Sequence, residues 1–163
     1  MPKIWKNYGF EITLSMGNKI VIYILTIMLF SCKSKNDTTN NSEKNYSHLI
    51  EKYFQHFNKY QWDLLSGLYA DSCQIKDPSI GIKPMWQSPI EIEQKYKELN
   101  AAIPDVQDSI ISVYPAVNNY YVVEFISTGT TPEGKKFELP VCTIFQFDHN
   151  GKIKKDYTYY DNF

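Results

Sequence analysis

The chain has no arginine: its 17 Lys+Arg positions are all lysines, set against 18 Asp+Glu for a formal net charge of −1. A nucleic-acid binder normally carries a basic excess and uses arginine for bidentate phosphate and guanine contacts, so the composition speaks against that class. Cysteine and histidine are scarce, three of each, and no CxxC or paired ligand spacing joins them, so no zinc framework is recognisable. No motif implies a cofactor. No apolar run reaches the roughly 20 residues that a membrane-spanning helix needs. What remains is a chain of 163 residues, room for one ordinary domain, with 43% hydrophobic and 21% charged residues. Aromatics reach 15%, with 13 tyrosines, enough to line a cavity as well as fill a core.

The N-terminal part reads as an address. Ile20 to Phe30 is an uncharged apolar run preceded by Lys19, with the length of a signal-peptide h-region behind a positive n-region. It leads into Leu29-Phe30-Ser31-Cys32, which resembles the bacterial lipoprotein signal, where a small residue precedes a cysteine that is lipidated and becomes the new N-terminus. An ordinary Cys32 thiol beside a conventional cleavage site is the alternative. Residues 1–31 are thus expected to be a signal peptide, with Met16 as the candidate true start because MGNK fits an n-region better than what precedes it. Lys33 to Asn45 is polar throughout and cannot bury enough surface to offset its ordering entropy. A lipidated Cys32 and a flexible tether over 32–45 would hold a domain at the cell envelope, on a membrane face that stays open.

Residues 46–163 read as one α+β domain. Leu49, Ile50, Tyr53, Phe54 and Phe57 recur at three- and four-residue steps, the signature of one helix face. A second, short helix is expected from Trp62 to Tyr69 and a strand over Cys73 to Lys76. Ser88-Pro89-Ile90-Glu91 is a capping box with proline at the first helical position, opening a helix that carries Ile92, Tyr96 and Leu99 and ends between Asn100 and Pro104. Beyond Pro104 the pattern turns β-rich: Ser109 to Tyr114, Tyr120 to Thr130, Lys136 to Phe147 and, after the turn Asp148-His149-Asn150-Gly151, Lys152 to Tyr160. Helices followed by a strand meander imply an antiparallel sheet with helices on one face.

Leu68 to Pro78 (LYADSCQIKDP) resembles the short-helix-to-strand junction of the nuclear transport factor 2-like superfamily, which includes the SnoaL-like cyclases and the ketosteroid isomerases. Phe147 to Asp161 (FDHNGKIKKDYTYYD) resembles the final hairpin of the same superfamily. The fold so implied is a curved antiparallel sheet packed on N-terminal helices, forming a cone with an internal pocket. In the isomerases a proton-shuttling aspartate stands just before a proline at the end of the first strand, a position that Asp77 matches. Their oxyanion-binding tyrosine matches Tyr53, a supporting tyrosine matches Tyr96, the second oxyanion donor falls on Thr143, and a pocket tryptophan on Tyr160. The resemblance therefore implies Asp77 as base and Tyr53 as donor to an enolate oxygen, in a dry pocket. Thr143 is a weaker donor than the protonated carboxyl it replaces. Tyr121, Val123 and Phe125 on one strand, and Leu139 and Val141 on the next, complete the expected lining.

Strand alternation puts Asp156, Thr158 and Tyr160 on one face and Tyr157, Tyr159 and Asp161 on the other. The isomerase comparison turns Asp156 inward, whereas a comparison with the cyclases favours Asp161; Asp156 is preferred. Asp77 also has a plainer reading as an Asp-Pro turn, and Tyr53 as a core aromatic. Cys73 shares the face of Asp77, and Cys142 lies opposite to Thr143, which sets the two thiols on different faces. The expected function is binding of a small hydrophobic or carbonyl-bearing molecule by an exported, lipid-anchored domain. Two alternatives stand beside it: a cofactor-independent isomerase- or cyclase-like proton-transfer enzyme, and a non-catalytic module that forms a homodimer through its sheet.

Overall fold

The apolar stripe of the first helix, α1 (Ser47–Asn58), buries Ile50, Tyr53, Phe54 and Phe57 and leaves Glu51, Lys52 and Gln55 in solvent. It belongs to the computed structural model's described residues, 45–161, which fall within one compact unit, Ser42–Phe163. The expected signal peptide over 1–31, Cys32 and the expected tether up to Lys44 lie outside the described residues. Among the described residues no helix is long and apolar enough to cross a membrane.

The second helix, α2 (Trp62–Ser66), is shorter than its sequence pattern suggests. Leu68 N–H bonds back to Leu65, tightening the last turn, while Leu68 C=O accepts Ile153 N–H at 2.9 Å. That sheet bond draws Tyr69 into the first strand, β1 (Tyr69–Asp77), which therefore begins four residues before the expected Cys73. β2 (Gly81–Gln87) has no counterpart in the sequence reading. It is an edge strand with every residue half-buried or exposed and a proline inside it, so neither alternation nor apolarity announces it.

Helix α3 (Pro89–Ala102) starts on the expected capping box: Glu91 Oε2 accepts both the Ser88 N–H and the Ser88 hydroxyl at 2.7 Å. It packs against α2 and β1 and buries Ile92 and Tyr96. Three long strands follow, β3 (Gln107–Ala116), β4 (Tyr120–Thr130) and β5 (Lys136–Phe147), then β6 (Ile153–Tyr159) after the Asp148–Gly151 turn. Asp148 Oδ1 closes that turn by accepting the Asn150 and Lys152 N–H groups, and Gly151 supplies the φ of +81°.

The strands form a single six-stranded sheet in the order β2-β1-β6-β5-β4-β3. Every neighbouring pair is antiparallel except β1 and β6, which run parallel, so the sheet is mixed where a purely antiparallel one was expected. Register shifts in β1, β3 and at the β5–β6 turn bend the sheet around the helices. Its inner face and α1 enclose an aromatic core in which Tyr53 contacts Phe145, and Phe54 contacts Phe125, edge to face. Cys73 is buried, with its thiol on Gln87 C=O, while Cys142 stands on the other sheet face, and both are free thiols.

Candidate functional site

Where α3 crosses the open end of the sheet, the core does not close. A cavity of about 500 Å³ remains between α1, α3 and the inner face, lined by aromatic and aliphatic side chains with a few polar groups among them. Gly129 on β4 shapes its far wall: a Cβ there would lie 2.6 Å from Ile103 Cγ2 and 3.1 Å from Phe137 Cε1, so only glycine lets these two lining side chains approach.

Of the expected site residues, Asp77, Tyr53, Tyr96, Phe125, Leu139, Val141 and Tyr160 border this cavity. Tyr121, Val123, Thr143 and Asp156 do not. The inward face of β4 runs from the packed end to the open end, so Tyr121 is spent against Phe147 and on the Tyr46 N–H, and Val123 is fully covered, before Phe125 reaches the cavity. Thr143 and Asp156 lie one layer behind the wall. Thr143 Oγ1 donates to Asp156 Oδ1 at 2.7 Å, Tyr69 Oη donates to Oδ2 at 2.7 Å, and Thr158, which does face the cavity, lies over them at 3.3 Å. Asp156 is thus inside the fold and Asp161 exposed. Burial pushes the Asp156 carboxyl above its ordinary range, against the opposing pull of Lys95 and its two hydroxyl donors.

Tyr53 and Tyr96, paired by the isomerase resemblance, meet with their hydroxyls 2.6 Å apart. Desolvation pushes both phenols up, Tyr96 to about 12, so both are neutral hydroxyls at any ordinary pH. Asp77 sits at the end of β1 with every side-chain acceptor engaged. Lys95 Nζ lies 2.7 Å from Oδ2; Oδ1 accepts the Ser79 N–H at 2.9 Å, the Ser79 hydroxyl at 2.7 Å and the Tyr160 hydroxyl at 2.8 Å. Burial pushes its carboxyl up, but the Lys95 ammonium and the Ser79 donors outweigh it and hold the pKa at about 2. In this arrangement Asp77 is a fixed anion that ties α3 to β1 and is poorly placed to take up a proton. The Asx-type turn through Ser79 accounts for the Asp-Pro-Ser sequence without chemistry.

Sequence reasoning missed a second buried carboxylate of the cavity lining. Asp108, near the start of β3, is 7% exposed and lines the cavity, and no hydrogen bond reaches its Oδ1. Burial pushes it up to about 7, only partly offset by the Ser127 hydroxyl on the paired strand. Its backbone is held on both sides by Asn58 at the end of α1, which donates to Asp108 C=O and accepts Asp108 N–H, each at 2.8 Å. A signal was available: Val106 and Asp108 are two apart on the buried phase of the strand. Starting the strand at Ser109 hid it. Among the described residues no cluster of His, Cys, Asp and Glu could hold a metal ion.

Comparison with known proteins places this arrangement among relatives of one fold. A family model described as the SnoaL-like domain matches residues 50–155. A hypothetical protein with a ketosteroid isomerase-like fold from Catenulispora acidiphila, solved in complex with trimethylamine, superposes with a TM-score of 0.62 at 20% identity, covering 69% of this chain and 85% of that one. The epoxide hydrolase/cyclase-like enzyme SalBIII, of pyran ring formation in the polyether salinomycin, gives 0.63 at 14% identity over 71% and 90%. An NTF2-like protein of unknown function from an Exiguobacterium species gives 0.59 at 16% identity over 70% and 98%. No functionally curated protein matches the sequence.

Proposed function

The chain belongs to the SnoaL-like domain family, and on that premise we propose that its cavity binds one small, largely apolar molecule carrying a polar or carbonyl group. The observation that carries this reading is a cavity of about 500 Å³ bordered by a buried carboxylate oxygen with no partner. A core built for stability alone fills such a volume and pairs its polar atoms. Concave, mostly apolar sites with a few convergent polar groups are the usual form of small-molecule sites. Proton transfer with Asp77 as base, the chemistry implied by the isomerase resemblance, would require its carboxylate to give up Lys95, Ser79 and Tyr160. The low pKa of Asp77 therefore supports binding over that reaction.

The test is a ligand-observed NMR screen of small aromatic and alicyclic carbonyl compounds against the full chain, with Leu139→Trp as a cavity-filling control. Saturable hits that compete with one another and vanish in the variant support the reading. A screen without any saturable, variant-sensitive hit would refute it.

The reading extends to location: the mature protein starts at a lipidated Cys32 and is held at the cell envelope, which the lipoprotein-like Leu29-Phe30-Ser31-Cys32 supports. Mass spectrometry of the N-terminal peptide, with Cys32→Ser as control, tests that. Pairing of two copies through the sheet is compatible with both. On one sheet face Tyr114, Val122, Ile144 and Tyr157 form one cross-strand row, exposed or half-buried among the described residues. Light scattering on the wild type and on Ile144→Glu tests that pairing.

A further inference from the structure

Asp108 carries a carboxyl group into an apolar wall. Its cavity neighbours include Leu99, Ile103, Val106, Phe125 and Phe137, and its Oδ1 has no hydrogen-bond partner. An unpaired buried carboxylate is among the most costly groups a fold can carry. Two Asn58 bonds fix the backbone beneath the side chain. The carboxyl is thus held, desolvated, in the wall of the space that a ligand would fill.

The charges around the cavity point to what would satisfy it. Asp77, Glu98 and Asp108 face Lys95 as the only cation of the lining, and Lys95 is spent on Asp77. Tyr53 from α1, Tyr96 from α3 and Tyr160 after β6 contribute neutral hydroxyls, and Asp156 lies behind Thr158. The lining therefore has an acidic surplus. It also presents the rings of Tyr53, Phe57, Tyr96, Phe125 and Phe137, a surface that attracts a cation through the negative faces of its rings.

We propose that the cavity selects a ligand bearing a positively charged nitrogen, and that Asp108 is the residue that recognises it. The proposal rests on the binding reading above and narrows it. An ammonium N–H donates to the Asp108 carboxylate, supplying it with a charged partner, while the hydrocarbon part of the ligand lies against the aromatic wall. The charge-assisted bond is about twice as strong as a neutral one. Recognition needs the ionised carboxylate, so apparent affinity follows the ionised fraction of Asp108.

The experiment compares 4-phenylbutylamine with 4-phenylbutan-1-ol, which differ chiefly in the charge at one end, by protein-observed NMR titration of the full chain. At pH 8 the amine is expected to bind at least about tenfold more tightly than the alcohol, and Asp108→Asn to erase that preference. In the wild type the amine should weaken by about tenfold between pH 8 and pH 6 while the alcohol stays level, a readout independent of whether the variant folds. Equal binding of both probes, or a preference that survives Asp108→Asn in a folded variant, would overturn the assignment. If neither probe binds but neutral carbonyl compounds do, the amine proposal alone falls. If nothing binds, the binding reading falls and takes the proposal with it.

Discussion

Asp77 and Asp108 border the same cavity from opposite flanks of the sheet, and both are more than nine-tenths buried. Their surroundings differ in every other respect. Asp77 has a lysine, a serine and a tyrosine, four donors to two oxygens counting Lys95, and stays ionised down to about pH 2. Asp108 has a clamped backbone and an unpaired oxygen, and takes up a proton near pH 7. Burial is common to the two, so burial alone does not mark a working carboxylate; what matters is whether the fold supplies the partner. At Asp77 the fold has closed the account within itself. At Asp108 it has left one bond to be made from outside.

The comparison breaks most severely at Lys95. Lys95→Met leaves Asp77 buried without its cation, and loss of one partner of a buried pair costs about 3–5 kcal/mol. Lys95 retains 20% side-chain exposure, so the lower end, about 3 kcal/mol, is expected in urea unfolding at neutral pH. The acid limb of the stability curve should change with it. A carboxyl held down at about 2 contributes stability that is present above its unfolded value near 3.8 and is lost as pH falls through 2. In the variant that contribution should largely vanish, so unfolding free energy measured from pH 2 to pH 4 would rise less steeply than in the wild type. An unchanged acid limb would mean that Ser79 and Tyr160, not Lys95, keep Asp77 charged.

Asp108 gives the opposite sign. Its folded value of about 7 lies above the unfolded 3.8, so its contribution is fully present below about pH 4 and is lost as pH rises through 7. Asp108→Asn, near in shape and without charge, should therefore stabilise the protein by about 2 kcal/mol at pH 8 and by little at pH 4. The measurement is the difference between the two pH values. A stabilisation of the same size at both would mean that Asp108 is not the titrating group.

How the two carboxylates stand in the sequence explains why one was legible and the other was not. Asp77 announces itself through Asp-Pro at a strand end, a local signal, and the resemblance supplied its place in the fold. Its partner Lys95 lies 18 residues on, along a helix whose rotation relative to β1 no periodicity specifies. Helices, capping box and long strands were readable because their causes are local: apolar spacing, a cap, a turn. Edge strand β2 was not, since an exposed strand has no buried face to impose alternation. The parallel pairing of β1 with β6 joins residues more than 80 apart and is a property of the assembled sheet. The pocket was legible as a direction along the strands but not in depth. Phe125, Leu139 and Val141 reach the cavity while Tyr121, Val123 and Thr143, on the same inward faces, are covered by helix or neighbouring strand.

Behind the wall, Asp156 offers an intermediate case, buried and charge-poor but hydrogen-bonded to the hydroxyls of Tyr69, Thr143 and Thr158. Tyr69→Phe removes the donor at 2.7 Å and leaves Oδ2 unsatisfied, with an expected loss of about 2 kcal/mol in chemical denaturation. Thr143→Val would remove the donor at 2.7 Å from Oδ1, and the double variant should lose less than the sum, because a carboxyl deprived of both short donors escapes part of the cost by remaining protonated.

The smallest expected effect sharpens the comparison most, because it separates holding a carboxylate from satisfying it. Asn58→Ala leaves the Asp108 side chain untouched but removes both bonds that fix its backbone to α1. Two partly buried hydrogen bonds are worth about 1–2 kcal/mol together, and water can replace some of that at the chain surface, so a loss near 1 kcal/mol is expected. Its more telling consequence is in the titration of Asp108. If the clamp is what keeps the carboxyl in the apolar wall, freeing β3 lets it reach solvent, and its pKa, followed by carboxyl-carbon NMR, should fall from about 7 towards the ordinary range near 3.8. If the pKa stays near 7 after the clamp is cut, the wall itself confines the side chain. The unpaired oxygen would then be a property of the cavity's shape and not of the Asn58 contact.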